Sequence, residues 1–186
     1  MFMFLRLALL PILTLSQFFG NPDTKGIYRT QADFDQHHLE FSAPAASRKV
    51  LIHIHDFMGA PHVTIDSGGQ KYFILKVELF GYRENKKDFR FFQNQAYEIL
   101  DTAGFYLYAK SALQKDKGSA VLTQYYFSKS GSDSILPLTI DNLKDAFPDK
   151  GAFRYSLDCQ FGRDSRLLEY DNQLRTYKIK QLFQGL

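Results

Sequence analysis

The chain contains one cysteine and no tryptophan in 186 residues. A single thiol cannot form an intramolecular disulfide, so the hydrophobic core has to hold the fold without a covalent cross-link. Cys159 lies among Phe153, Leu157 and Phe161, which repeat at helical spacing, and the usual behaviour of free cysteine predicts that it is buried or half-buried. The lack of tryptophan counts against a sugar-binding platform, because sugar faces stack most often on the largest aromatic ring.

An excess of charge of one sign is also missing. Lysine and arginine number 23, aspartate and glutamate number 20, and the formal net charge is +3. The two signs alternate along the chain, whereas proteins that bind nucleic acid concentrate basic residues in a stripe or patch. We therefore expect no nucleic-acid partner.

Long apolar runs are absent except for one short segment near the N-terminus. Arg6 precedes an apolar stretch over 7–16, in which Thr14 and Ser16 place small side chains before Gln17. This order of charge, apolar run and small residues is typical of an export signal. A transmembrane helix needs about 20 apolar residues. The segment therefore predicts a signal peptide over 1–16 and no transmembrane segment after its removal.

The remainder of the chain has the length of one ordinary domain. A lipid anchor would require a cysteine immediately after the predicted cleavage site, and Gln17 occupies that position. We therefore expect a soluble protein that is periplasmic or secreted. Residues 17–26 are interpreted as a polar leader and 27–186 as a single globular α+β domain. Eighteen phenylalanines and eleven tyrosines supply apolar side chains for its core.

Apolar residues that alternate with a period of two predict strands in the first two thirds of the domain. The predicted strands are 50–55, 62–66, 71–80, 89–93, 97–100, 105–108 and 121–127. The charged run 81–88 is interpreted as the tip of a hairpin. Thr30 and Asp33 resemble a capping box that begins a short helix.

The last third of the chain changes to helical periodicity. Asp141 can cap a helix over 142–147, and a second helix carries Phe153, Leu157 and Phe161. Asp164 or Ser165 can cap a third and longest helix. Its apolar stripe would consist of Leu167, Tyr170, Leu174, Tyr177 and Leu182. Strands followed by helices predict the α+β class, with a mostly antiparallel sheet from the N-terminal two thirds and C-terminal helices packed on one face.

Three histidines form one candidate site. His53 and His55 are two residues apart in a predicted strand, so their side chains share the face opposite the apolar residues of that strand. If the next strand pairs antiparallel and keeps its apolar residues on the core side, one allowed register places His55 opposite His62 and His53 opposite Thr64. The three imidazoles would then converge.

Convergent imidazoles have two interpretations. Three nitrogen ligands and an open fourth position are typical of a catalytic zinc ion, so His53, His55 and His62 predict a possible zinc-dependent hydrolase. The other interpretation is that these histidines occupy the solvated face of a half-buried sheet without binding a metal.

Aromatic residues form a second candidate site. Tyr72, Phe80, Tyr82, Tyr106 and Tyr108 lie in or beside predicted strands, and rings on an exposed sheet face can bind a glycan, a peptide or a protein. The alternative is that these rings pack in the core, because strands favour aromatic residues for packing reasons alone.

Two short segments resemble a known group of proteins. The segment 26–30 with Asp33 and Phe34, and the segment 80–83 before a charged run, are similar to small exported proteins of unknown function from Bacteroidetes. Gln17 at the predicted mature N-terminus also fits export signals of that group. The resemblance implies a secreted or periplasmic protein without an assigned activity, and it gives no template for the three histidines.

The sequence therefore favours a non-enzymatic binding or interaction module at the cell envelope, without a cofactor. The alternative is a metal-dependent hydrolase that uses His53, His55 and His62. A third possibility is a structural component whose aromatic residues all lie in the interior.

Overall fold

The computed structural model of the protein describes residues 23–56, 59–113 and 121–185. The predicted signal peptide over 1–16 and the first part of the predicted leader lie outside these ranges. Residues 24–26, which were predicted to belong to the leader, instead form the start of the first strand. The leader prediction is wrong there because Lys25 is buried along its stem and donates a hydrogen bond from Nζ to the carbonyl of Ser47.

The strands lie in three sheets. In chain order they are β1 (Thr24–Tyr28), β2 (Glu40–Pro44), β3 (Val50–His53), β4 (His62–Ser67), β5 (Gln70–Leu75), β6 (Gly81–Glu84), β7 (Lys87–Phe92), β8 (Gln95–Asp101), β9 (Tyr106–Leu113), β10 (Val121–Ser128), β11 (Leu136–Pro137), β12 (Tyr170–Asp171) and β13 (Thr176–Tyr177). A large sheet has the order β11, β10, β9, β8, β7, β6, β1, β2, and a small sheet has the order β3, β4, β5. Strands β12 and β13 pair with each other. All pairings among the described strands are antiparallel, which confirms the predicted α+β class.

The helices are short and mostly C-terminal. They are α1 (Gln31–Asp35), α2 (Ile140–Ala146), α3 (Gly151–Gln160) and α4 (Lys178–Gln184). The predicted capping box is confirmed, because Asp33 N donates to Thr30 Oγ1 and Thr30 N donates to the Asp33 carboxylate. Helix α2 is capped by Thr139 instead of Asp141. Across the described residues, each helix is too short or too polar to cross a membrane.

One face of the large sheet carries both the C-terminal helices and the small sheet. Leu107 and Phe127 are paired on β9 and β10 and belong to the core formed with α2, α3 and α4. Ile27, Tyr82 and Phe91 belong to the core formed with the small sheet. Cross-strand partners on β6 to β9 connect these two regions along a single face, since opposed residues point the same way. The prediction that the C-terminal helices pack on one face is confirmed.

The opposite face is organised around a buried arginine. Arg90 donates from Nη1 to the Tyr108 hydroxyl at 3.0 Å and to Ser128 Oγ at 3.2 Å. From Nη2 it donates to the carbonyl of Asp133 at 2.6 Å. In the described part of the chain its partners are hydroxyl and carbonyl oxygens, and none is a carboxylate. Arg90 therefore ties β7 to β9, to β10 and to the loop that follows β10.

The charged run 81–88 contains a hairpin tip, as predicted, but most of the run is strand. Only Asn85 and Lys86 form the turn between β6 and β7, and both have positive φ, at 51° and 64°. Two residues of positive φ give the tight turn that matches the twist of antiparallel strands. Tyr82 and Arg83 therefore belong to the sheet, and Tyr82 is buried.

The prediction of one long helix from Asp164 or Ser165 to Gly185 is wrong. The segment instead forms a 3-10 turn over 164–166, the pair β12 and β13, and helix α4. The Asp171 carboxylate accepts hydrogen bonds from the backbone N–H groups of Gln173 and Leu174. A short polar side chain that binds nearby backbone in this way competes with helix formation, which explains the interruption.

Cys159 is exposed, so its predicted burial is also wrong. On α3 the side chains of Phe153 and Leu157, followed by Phe161, face the core. Cys159 is two residues beyond Leu157, and two residues correspond to about half a helical turn. The thiol therefore lies away from the core stripe.

Lys180 anchors α4 to the turn between β8 and β9. Its fully buried ammonium donates to the carbonyls of Ala103 and Phe105, and a carboxylate oxygen of Asp101 lies 3.4 Å from Nζ. Burial lowers the pKa of Lys180 to about 8, and the charge of Asp101 offsets part of this effect. The depressed pKa predicts a pH dependence of stability.

We expect the free energy of unfolding to rise between pH 8 and pH 10. The pKa of lysine is about 10.4 in an unfolded chain. In this interval the unfolded chain therefore binds more protons than the folded protein, and stability increases with pH. Urea unfolding measured at several pH values checks this, and Lys180→Met should show a smaller increase than the parent. Equal increases in the two proteins would contradict the assignment.

Candidate functional site

The small sheet presents one side to the core and the other to solvent. Val63 and Ile65 of β4 are fully buried against the large sheet. Because successive strand residues point to opposite sides, the alternate residues face outward. We call this side the outer face; its strand residues are Leu51, His53, His62, Thr64, Asp66, Lys71, Phe73 and Leu75.

The predicted register of the histidine strands is confirmed as far as β3 extends. His53 is the partner of Thr64, as expected from keeping Val63 and Ile65 on the core side. Strand β3 ends at His53, and His55 follows it with a positive φ of 52°. His55 therefore reaches the outer face from a bend in the chain and not from a ladder position.

The three imidazoles lie next to one another on the outer face. The ring centroids of His53 and His55 are 6.1 Å apart, and those of His55 and His62 are 5.4 Å apart. The Nε2 atom of His55 is within hydrogen-bond distance, 3.2 Å, of the Thr64 hydroxyl. This contact engages one of the nitrogens that a metal would need.

Within residues 23–56, 59–113 and 121–185, no group of three or more His, Cys, Asp or Glu side chains is placed to hold a metal ion. The histidines are neighbouring side chains on the outer face, and His62 is the cross-strand partner of Leu75. The His62 ring also contacts the exposed ring of Phe73, with centroids 6.1 Å apart.

Exposed apolar side chains concentrate beside these histidines. Ten large apolar side chains are exposed in the described residues, and four of them belong to the small sheet or to the turn that follows it. Phe73 is 70% exposed and Val77 is 84% exposed, while Leu75 and Leu51 are exposed by 46% and 40%. Exposed apolar side chains beside polar groups are characteristic of interaction sites.

The predicted aromatic binding face does not present its rings to solvent. Phe80, Tyr82, Tyr106 and Tyr108 are buried, and Tyr72 is half-buried. Tyr82, for example, lies in the core under the small sheet, and burial raises its pKa. These residues belong to both faces of the large sheet and to the inner side of β5, where packing partners cover them.

Sequence periodicity did not identify the exposed apolar residues as a site, because β5 is apolar on both sides. Tyr72 and Ile74 alternate with Phe73 and Leu75, so periodicity indicates which side chains share a side without indicating which side is buried. The partner strand supplies the missing information. Since Val63 pairs with Ile74, the buried side of β4 fixes Ile74 inward and Phe73 outward.

A cleft of about 480 Å³ lies near the end of β7 and is bordered by Lys76, Phe92 and Ser132. Lys76 is only 1% exposed, and its Nζ donates to the carbonyl of Asn94 at 2.9 Å. Burial lowers the pKa of Lys76, while the charge of Asp56 opposes this effect. Lys76 therefore links the 3-10 turn after β5 to the turn between β7 and β8.

The chain matches no protein-family model, and neither a curated protein nor a solved structure is similar to it. The functional proposal therefore rests on the outer face and its surroundings. The resemblance to small exported proteins from Bacteroidetes stays a prediction.

We expect Phe73 and Ile74 to differ sharply in their contribution to stability. Phe73→Ala should change the free energy of unfolding by less than about 0.5 kcal/mol, because the ring is mostly in water. Ile74→Ala should cost about 2 to 5 kcal/mol, because the side chain is buried in the core. Urea unfolding measures both. A large loss with Phe73→Ala would show that the ring is retained for stability.

Proposed function

We propose that this chain is an exported, non-enzymatic binding module at the cell envelope and that it recognises a partner protein through the outer face. The observation that carries the proposal is the exposure of Phe73, Leu75, Val77 and Leu51 in one small sheet and its adjoining turn. Exposing such side chains to water is unfavourable by about 25 cal/mol for each Å² of apolar area. A partner that covers them recovers this free energy.

The chemistry of the outer face fits a protein surface better than a charged polymer. Asp66 and Lys71 are cross-strand partners on this face, so their opposite charges lie side by side. Histidine side chains on the same face both donate and accept hydrogen bonds. Exposed apolar side chains on β3 and β5 thus flank the polar side chains of β4, and apolar groups beside hydrogen-bonding groups are typical of a protein–protein interface.

The proposed location is supported by the sequence. The apolar stretch over 7–16 with its preceding Arg6 has the pattern of an export signal. The chain also contains only Cys159, so correct folding in an oxidising compartment requires no disulfide pairing. A periplasmic or secreted protein is consistent with both observations.

A photo-crosslinking amino acid at His53 tests partner binding. In cells of the source organism we expect a crosslinked adduct with a second, different polypeptide. The same amino acid at Tyr155, which is 76% exposed on α3, is the matched control and should give no such adduct. Leu51→Asp should abolish the His53 adduct, because a carboxylate on the outer face must be desolvated on binding. Tyr155→Asp should leave it unchanged.

Crosslinking that occurs equally from both positions, or that survives Leu51→Asp, would contradict the proposal. The captured polypeptide is then purified and titrated against the parent and Leu51→Asp. We expect the substitution to weaken the affinity at least tenfold, because it replaces an apolar contact of the outer face with a charge that loses its hydration on binding.

A metal-dependent hydrolase is the rival function, and metal analysis separates the two. We expect protein purified without chelator to contain no stoichiometric zinc, because His55 is engaged by Thr64 and its strand has already ended. One zinc ion per chain that is lost in His53→Ala with His55→Ala would overturn the proposal in favour of the hydrolase.

A further inference from the structure

Strand β5 is an unprotected edge of the small sheet. Among the described strands it pairs only with β4, and all six of its residues are in register with β4 from Gln70 to Leu75. The strand contains no proline and no bulge. An edge of this kind offers a row of free backbone N–H and C=O groups to another strand.

The other sheet edges carry the features that block such pairing. Strand β2 contains Pro44, and its register with β1 is irregular between Lys25 and Ile27. Strand β11 has two residues and ends in Pro137. Strand β3 has four residues and lies beside β2. Among the described strands, β5 is therefore the edge best suited to strand addition.

We propose that β5 pairs antiparallel with β5 of a second copy of this chain, about a two-fold axis at Phe73. This register places Phe73 opposite the same residue of the second copy. Tyr72 then opposes Ile74, and Lys71 opposes Leu75. Opposed residues share a side of a sheet, so the two outer faces become continuous, and so do the two core sides.

The sequence of β5 complements itself in this register. The paired phenylalanines form an aromatic cross-strand contact, which stabilises antiparallel pairs. An axis at Lys71 would instead oppose two ammonium groups, which is unfavourable. A two-fold axis that passes between two successive residues of β5 would oppose an inner residue of one copy to an outer residue of the other. The core side of one copy would then continue into the outer face of the other. The self-complementary register favours a second copy over an unrelated extended segment, and two-fold dimers are the commonest symmetric assemblies.

Pairing of this kind has a structural consequence for the outer face. The two three-stranded sheets join into six strands, with the histidines of each copy on the same side. Leu51 belongs to the far edge of each small sheet and does not take part in the contact. Leu51 can therefore be substituted without touching the dimer contact, so its effect on partner binding is measured separately from dimerisation.

A disulfide trap tests the register. In purified protein that carries Cys159→Ser, Phe73→Cys should form a covalent dimer under mild oxidation. Directly opposed Cα atoms lie about 4.5 to 5.5 Å apart, within the range that a disulfide spans. The matched control is Lys71→Cys, whose two copies would lie about 13 Å apart, four residues along the strand. We expect at least tenfold faster crosslinking at residue 73.

Sedimentation analysis tests association without a crosslink. One strand from each copy makes a small interface, so we expect reversible dimerisation of the parent with a dissociation constant in the micromolar range. Phe73→Lys should remain monomeric, because it places two like charges on the axis, whereas Tyr155→Lys should dimerise as the parent does. A parent that stays monomeric, or equal crosslinking at residues 71 and 73, would overturn the proposal. Association only with an extended segment of a different protein would also overturn it.

Discussion

The guanidinium of Arg90 is the interaction on which the second face of the large sheet depends. A buried charge is costly unless its hydrogen-bonding groups are satisfied. Here the Tyr108 hydroxyl, Ser128 Oγ and the Asp133 carbonyl supply oxygens from β9, β10 and the following loop. The loop thereby closes this face together with α1. The small sheet and the C-terminal helices both occupy the opposite face, and their positions there set which side of β5 meets water.

The small sheet has too little cover to bury both of its apolar sides. Val63 and Ile65 supply its inner side to the core, and the large sheet beneath it provides their packing partners. Phe73 and Leu75 lie on the side that no other element covers in the described structure. Core packing therefore explains half of the apolar content of β5. The other half, together with the histidines, belongs to the surface that we propose binds another protein.

Periodicity predicted the parts of the fold in which only one side of an element is apolar. The register of β3 and β4 followed from Val63 and Ile65, and the capping box followed from Thr30 and Asp33. The C-terminal region failed because Asp171 binds its own backbone, which a helical stripe of apolar residues does not reveal. The candidate site was predicted as neighbouring histidines. The exposure of Phe73 and Leu75 could be predicted only from the pairing of β5 with β4, because β5 has apolar residues at every inner and outer position from Tyr72 to Leu75.

The two-residue turns have a consequence for the order in which the sheet forms. Strands β7 to β10 pair with the neighbours that precede and follow them in the chain, and the turn at Asn85–Lys86 brings β6 and β7 together immediately. Hairpins of this kind close in microseconds, because little chain entropy is lost before contacts form. Strand β1 is different, since its partner β6 lies more than 50 residues away in sequence. We expect a meander of β6 to β10 to assemble first and the N-terminal strands to dock on it last, as a slower, long-range closure.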